Sequence, residues 1–167
     1  MTYVGIVTIS DSRSQGTRAD TTTALIRRLM EEAGYAVGET AMIPDDTEQI
    51  QATLIEMADR LVLPLVLTTG GTGLGPRDVT PEATRGVIDH EVPGLPEAMR
   101  VLTATQNPMA WLSRGIAGLR GRTLIVNLPG SPRAVDECLR VLIPLLPHAL
   151  SMIAGDSHGS VATVAHH

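Results

Sequence analysis

The feature that most constrains the fold of this chain is a regular alternation of short apolar strands with helical patterns. Runs rich in Val, Ile and Leu cover residues 4–9, 36–43, 63–68 and 123–127, and the alternation repeats about every 25 to 30 residues. The run at 4–9 is continuously apolar, which is typical of a strand buried on both faces. Right-handed βαβ crossovers produce this order. We therefore predict an α/β fold: a three-layer α/β/α sandwich with a mostly parallel central sheet.

Helix-capping residues support the same division of the chain. Capping or helix-starting residues precede four helical patterns: Asp20, Asp46, Thr80 with Pro81, and Ser131 with Pro132. A further helix is predicted over residues 95–102, and Pro144 begins or kinks the last one. No repeat or linker interrupts residues 1–155, so we predict one domain there and a mobile tail at 156–167.

Three polar or glycine-rich segments follow predicted strands, at residues 10–12, 68–78 and 128–131. In open α/β sheets, ligands bind outside the carboxyl ends of the strands. We expect the three segments to converge there, with Ser10 and Asp11 contributed by the first.

The glycine-rich segment Thr69-Gly70-Gly71-Thr72-Gly73 predicts a phosphate-binding loop. Several unhindered amides in a turn between strand and helix can surround an anion. Because all 13 basic residues are arginine, the segment lacks the lysine of a Walker loop. The alternative is a flexible turn without a ligand.

Two carboxylates and an arginine stand beside this loop. Asp45 and Asp78 each come after a predicted strand, and carboxylates together with phosphate oxygens form a magnesium site. In the alternative interpretation, Asp45 and Asp46 are only turn and cap residues. Arg77 follows the loop and directly precedes Asp78, next to the predicted phosphate site.

A second tight turn, Asn127 to Pro132, brings Pro129, Gly130 and Ser131 to a helix start. Its amides and the Ser131 hydroxyl can hold another part of a ligand, and Ser131 can also serve as a helix cap.

Composition excludes several other classes. A net charge of −5 and a pI near 5.5 argue against nucleic-acid binding. The single cysteine, Cys138, lies on an apolar helical face and is predicted to be a core residue. No run of about 20 uncharged apolar residues occurs, so we predict a cytoplasmic protein without membrane contact.

The motifs together resemble one family. They are VTISDS at 7–12, IPDD at 43–46, LTTGGTGLGPRDVTPEAT at 67–84, LSRGIAGLRGRTLIVNLPGSP at 112–132 and AVDECLRVLIPLLPHAL at 134–150. They are similar to the Mog and MoaB family of molybdenum-cofactor biosynthesis. That family includes molybdopterin adenylyltransferases and the G domains of gephyrin and the plant Cnx protein.

The resemblance implies an enzyme that transfers AMP from MgATP to the phosphate of molybdopterin and releases pyrophosphate. It implies that Asp45 and Asp78 are the essential, magnesium-binding aspartates, and that Ser113 contacts the pterin. In such a reaction Arg77 either assists the leaving pyrophosphate or only braces the loop by pairing with an acidic residue. It also implies a homo-oligomer, often a trimer, and other proteins of molybdenum-cofactor biosynthesis as partners. The predicted substrate-binding residues are Ser10, Asp11, Thr69, Gly70, Gly71, Thr72, Gly73, Arg77, Ser113, Pro129, Gly130 and Ser131.

Two alternatives stay open at this point. A MoaB-type protein would bind the pterin or nucleotide with little or no transferase activity, and a scaffold module would act only through oligomerisation.

Overall fold

The computed structural model describes residues 1–156. Its six strands are β1 (Thr2–Ile9), β2 (Tyr35–Ile43), β3 (Leu65–Thr69), β4 (His90–Glu91), β5 (Ala117–Arg120) and β6 (Thr123–Leu128). Its seven α-helices are α1 (Asp11–Ser14), α2 (Thr22–Glu32), α3 (Thr47–Ile55), α4 (Thr80–Arg85), α5 (Gly94–Ala104), α6 (Pro132–Leu142) and α7 (Leu146–Ala154). A π-helical turn at Glu56–Arg60 extends α3, and 3₁₀ turns lie at Pro108–Leu112 and Ile143–Leu145. The last of these is the predicted interruption at Pro144.

The strands form one sheet in the order β2-β1-β3-β6-β5-β4. The pairs β1–β2, β1–β3 and β3–β6 are parallel, whereas β5 runs antiparallel to β6 and β4 antiparallel to β5. The prediction of a mostly parallel sheet is confirmed. The antiparallel strands β4 and β5 were not predicted, because their two and four residues are too few to show the alternation of a strand.

Both faces of the sheet are covered by apolar cores, which gives the three layers. Ile6 points into a core shared with α2, α5, α6 and α7, and its neighbour Val7 points into a core on the α3 and α4 side. Leu65 and Val66 alternate in the same way along β3. Successive side chains of a strand face opposite sides, and this is why a strand buried on both faces appears as an unbroken apolar run.

A helix begins at each of the four predicted places, and the predicted cap is confirmed at three of them. Asp20 accepts hydrogen bonds from the amides of Thr22 and Thr23, Asp46 accepts from Gln49, and Ser131 accepts from Ala134. The fourth is wrong, because Val79 holds the N-cap position of α4 and Thr80 is the first helical residue. The fully buried Thr80 hydroxyl has no hydrogen-bond partner within residues 1–156.

The C-terminal helical run has an apolar composition. Pro132–Ala154 is long and apolar enough, by length and composition, to cross a membrane. Its Leu139, Leu142 and Leu146 are fully buried in the protein core, however, and its other side carries Arg133 and Arg140 in ion pairs. One side of the run therefore packs against the core, and the cytoplasmic location stays a prediction. The predicted mobile tail lies outside the described residues except for Asp156.

Candidate functional site

The three polar segments meet at one edge of the sheet, as predicted. They follow β1, β3 and β6, which are adjacent and parallel. The Gly70 amide donates to the Leu128 carbonyl at 3.2 Å, and the Thr69 hydroxyl donates to the Pro129 carbonyl at 2.6 Å. These bonds join the glycine loop to the second turn.

Glycine is required at two positions of the loop. Gly70 and Gly71 have φ angles of +95° and +70°, which side-chain-bearing residues rarely adopt. A Cβ at Gly70 would collide with the Ile9 carbonyl oxygen, and one at Gly71 would collide with the Thr80 hydroxyl. The loop is therefore pressed against β1 and α4 by backbone contacts that no other residue allows.

The free amides of the loop are fewer than predicted. The amides of Gly71, Thr72 and Gly73 donate no hydrogen bond to any described residue, so they are available to a ligand. Thr69 and Gly70 were also expected to offer free groups to a ligand. They do not, because the Thr69 hydroxyl and the Gly70 amide donate to carbonyls of the protein itself. Gly70 still lines a cavity with its backbone.

Two cavities open on either side of this loop. The larger, of about 560 Å³, lies between the loop, α5 and the segment after it; it contains Thr72, Gly73, Ser113 and Pro129 together with apolar side chains. The smaller, of about 240 Å³, contains Ser10, Asp45 and Gly70. Four residues line both cavities: Gly71, Asp78, Gly130 and Ser131.

Asp45 and Asp78 face the smaller cavity together. Asp45 Oδ2 accepts a hydrogen bond from the Asp11 amide at 3.0 Å, and Asp78 Oδ2 accepts one from the Gly75 amide at 2.9 Å. Burial raises the pKa of Asp45, the hydrogen bond from Asp11 opposes this, and the charges of Asp11 and Asp78 raise it further. The two sequence-distant carboxylates therefore share one electrostatic environment.

Whether magnesium fits this site depends on the available ligands. No group of three or more His, Cys, Asp or Glu side chains in residues 1–156 is arranged to hold a metal ion. Mg²⁺ is commonly bound by one or two carboxylates together with substrate phosphates. A cation between Asp45 and Asp78 would also offset the repulsion that raises the pKa of Asp45. The carboxylate pair thus fits magnesium that arrives with a phosphate-bearing substrate.

Asp11 and Arg77 pair with each other and line neither cavity. Arg77 donates from Nε and Nη2 to the Asp11 carboxylate at 3.0 and 3.1 Å, and these hydrogen bonds hold the pKa of Asp11 below its usual value. Asp11 also accepts from the Asp45 amide at 3.0 Å. The arrangement corresponds to the bracing alternative for Arg77, with Asp11 as an orienting partner of Asp45.

A second arginine, Arg114, joins the glycine loop to the segment that contains Ser113. Arg114 donates to the carbonyls of Gly73 and Asp78, each at 2.8 Å, and pairs with Glu82. Its amide donates to the Thr72 carbonyl at 2.8 Å. One residue thereby attaches the glycine loop to the Ser113 segment.

Ser113 and the second turn line the larger cavity. The Ser113 hydroxyl accepts from the Gly115 amide at 3.3 Å, which leaves its own proton available to a ligand. Arg100 donates to the carbonyls of Ser113 and Gly115 and also lines this cavity. Cys138 is 7% exposed in the same wall, and burial raises the pKa of its thiol to about 11. It is a core residue, as predicted.

Sequence reasoning missed the arginines of this region. Arg13 and Arg18 line the smaller cavity and Arg100 lines the larger one. The position of Arg13, directly after the polar segment that follows β1, was a signal that could have found it. Nothing in the local sequence distinguishes Arg100 from the other arginines on helices.

The fold and the paired cavities define an open α/β protein whose ligand crevice lies at the carboxyl ends of its parallel strands. A domain family described as "Probable molybdopterin binding domain" matches residues 5–148. The chain belongs to this family.

Known proteins match over most of the chain. It is 37% identical over 158 residues to the molybdopterin adenylyltransferase of Helicobacter pylori strain J99, covering 92% of this chain and 89% of that protein. It is 43% identical over 155 residues to the molybdenum cofactor synthesis protein cinnamon of Drosophila melanogaster, covering 91% of this chain but only 26% of cinnamon. The solved structure of the molybdopterin biosynthesis enzyme MoaB from Thermus thermophilus is 52% identical, with a TM-score of 0.89 over 93% of this chain and 98% of that one.

Proposed function

We propose that this protein is a molybdopterin adenylyltransferase of molybdenum-cofactor biosynthesis. It transfers AMP from ATP to the phosphate of molybdopterin and releases pyrophosphate. The observation that carries the proposal is the pair of cavities that share Gly71, Asp78, Gly130 and Ser131. A reaction that joins two phosphates needs two substrate sites that meet at one anion-binding surface. The adenylyltransferases among its relatives support the choice of substrates.

In this reaction an oxygen of the molybdopterin phosphate attacks the α-phosphorus of ATP. The bond from that phosphorus to the bridging oxygen of the β-phosphate breaks, and pyrophosphate leaves with the electron pair. The main obstacle is repulsion between anions. The free amides at residues 71–73 bind phosphate oxygens at the point where the cavities meet, so both substrates are aligned before reaction.

Asp45 and Asp78 hold magnesium in this proposal. The ion supplies positive charge to the phosphate oxygens. Asp11 orients Asp45 through the reciprocal amide-to-carboxylate bonds of 3.0 Å, and Arg77 holds Asp11. In the larger cavity, Ser113 and the second turn, Pro129, Gly130 and Ser131, contact the pterin substrate.

The test is formation of adenylylated molybdopterin from MgATP and molybdopterin by the purified chain. Asp78→Asn keeps the shape of the side chain and removes its charge, and we expect it to lower the rate at least about 100-fold. Asp46→Asn is the matched control, because Asn also caps helices and Asp46 lines neither cavity. Its rate should stay within about twofold of the wild type.

The second candidate is a MoaB-type protein that binds molybdopterin without transferring AMP, and the 52% identity with the Thermus thermophilus MoaB structure keeps this branch of the family in view. Tight binding of molybdopterin without product from the wild type would select it. Equal rates from Asp78→Asn and Asp46→Asn would instead remove Asp78 from the reaction.

We also propose a homo-oligomer, a trimer by the resemblance. Met109 and Trp111, 62% and 58% exposed beside the larger cavity, support an apolar contact surface. Sedimentation equilibrium measures the assembly, and a monomer at micromolar concentration would contradict it. The length of cinnamon beyond the matched region supports other biosynthetic proteins as partners.

A further inference from the structure

The distribution of ion pairs separates the arginines of this chain into two groups. Nine of the 13 arginines pair with a carboxylate. The four that form no such pair within residues 1–156 are Arg13, Arg18, Arg100 and Arg122. Of these, Arg13 and Arg18 line the smaller cavity and Arg100 lines the larger. The cations that the protein leaves without an anion are concentrated where ligands would bind.

Arg13 is the most constrained of the four. It is only 6% exposed, and its guanidinium makes a single hydrogen bond to a described residue, from Nη1 to the Gly130 carbonyl at a long 3.5 Å. Its Nε is buried without a partner in the same part of the chain. A buried charge is strongly unfavourable unless it is paired and hydrogen-bonded. An anion in the adjoining cavity would supply the pairing that the protein does not.

The surroundings of Arg13 indicate which kind of anion fits. The exposed Arg18 lines the same cavity, as do Asp45 and Asp78. Two cations and a pair of carboxylates in one cavity suit a polyphosphate that carries magnesium. The volume of about 240 Å³ is below that of most sites for whole drug-sized ligands, while the 560 Å³ cavity lies within their range.

We propose that Arg13, assisted by Arg18, binds the β- and γ-phosphates of ATP in the smaller cavity and holds the pyrophosphate as it leaves. This inference rests on the proposed function. When the bond between the α-phosphorus and the bridging oxygen breaks, the added negative charge develops on the pyrophosphate. A guanidinium already in place stabilises that charge without reorganisation.

The test is calorimetric binding of pyrophosphate, ATP, AMP and molybdopterin, each with magnesium, to the whole chain. Arg13→Gln should weaken pyrophosphate and ATP binding about 10- to 100-fold and leave AMP and molybdopterin binding within about threefold. Arg122→Gln is the matched control, since Arg122 also pairs with no carboxylate among the described residues. It lies in the turn before β6, whereas the cavities lie at the other end of that strand. It should bind all four ligands as the wild type does.

Unchanged pyrophosphate affinity in a folded Arg13→Gln protein would overturn the inference. A loss of molybdopterin binding alone would also overturn it, because the cavity would then hold the pterin phosphate. If Arg13→Gln does not fold, Arg13→Lys and the exposed Arg18→Gln decide instead. Each should weaken pyrophosphate binding at least about threefold, and wild-type affinity in both would overturn the proposal.

The two proposals can fail separately. If the wild type forms product but its pyrophosphate binding does not depend on Arg13, only the role of Arg13 is refuted. Binding that depends on Arg13, in a protein that makes no product, would support the polyphosphate site and sink the transferase.

Discussion

The two cavities that meet at the glycine loop are built in different ways. The smaller is formed by segments that follow β1, β2, β3 and β6, so the parallel strands position its lining. The larger depends on α5, the 3₁₀ turn at Pro108–Leu112 and the Ser113 segment, which the sheet does not position directly. The smaller is lined by charges and the larger mostly by apolar and uncharged groups. Under the proposed function, the cavity at the ends of the strands binds the phosphates, and the cavity formed by the longer connection binds the pterin.

The shared loop should be the most sensitive point of both cavities. Gly71→Ala forces a positive φ on alanine and a collision with Thr80, so we expect about 2–5 kcal/mol of lost stability and at least about 100-fold lower product formation. Chemical denaturation and the transfer assay measure the two effects. Gly121→Ala is the control: its φ of +55° is also positive, but nothing lies within 4 Å of its Cβ. A loss of activity in Gly121→Ala as large as in Gly71→Ala would contradict the role of the contact with Thr80.

Weakening the attachment of the glycine loop to the Ser113 segment should have the next largest effect. Arg114→Gln removes the bridge between the loop and the Ser113 segment, and we expect about 10- to 100-fold lower activity with about 1–2 kcal/mol lower stability. Arg120 is a structural match, since it pairs with Asp59, donates to the Val87 carbonyl and is 26% exposed against 34% for Arg114. Arg120→Gln should lose similar stability and keep its activity. Parallel losses of activity in both variants would show that the effect is one of general stability.

Ligand binding in the larger cavity can be weakened without a change in the smaller one. Ser113→Ala removes one hydroxyl donor, so we expect about 2- to 10-fold weaker molybdopterin binding and unchanged ATP binding. Calorimetric titration with each substrate measures this. An equal loss of affinity for ATP would mean that the two cavities are not divided between the substrates as proposed.

Cys138 should report occupancy of the larger cavity with the smallest perturbation. Because burial raises the pKa of its thiol from 9.0 to about 11, roughly one thiol in a thousand is ionised at pH 8 in the folded chain. Alkylation should be slow, become faster on unfolding, and slow further when molybdopterin is bound. Because the thiol ionises at a higher pH in the folded chain than in the unfolded one, burial of the neutral thiol adds to the free energy of unfolding fully below pH 9. This contribution is lost as the pH rises towards 11. Rapid alkylation at pH 8 in the folded state would contradict this environment.

Much of the fold could be predicted because its signals are local. Burial on both sheet faces produces the apolar run of β1, and the caps at Asp46 and Ser131 depend on amides three residues away. The antiparallel strand β4 has two residues, too few for a pattern. Thr80 shows the limit of local rules, because its hydroxyl lies buried under Gly71 and does not cap α4.

By itself, the sequence determined the alternation of strands and helices, the glycine loop, and the placement of Asp45 and Asp78 after strands that meet at one edge. Periodicity and turn chemistry act over a few residues, so they can be recognised in the sequence alone. Only the tertiary structure decided that Asp11 pairs with Arg77, 66 residues away, while Arg13 is buried without a carboxylate. Ion pairing depends on distances between remote segments, and no local pattern distinguishes an arginine that is paired from one that is available to a ligand.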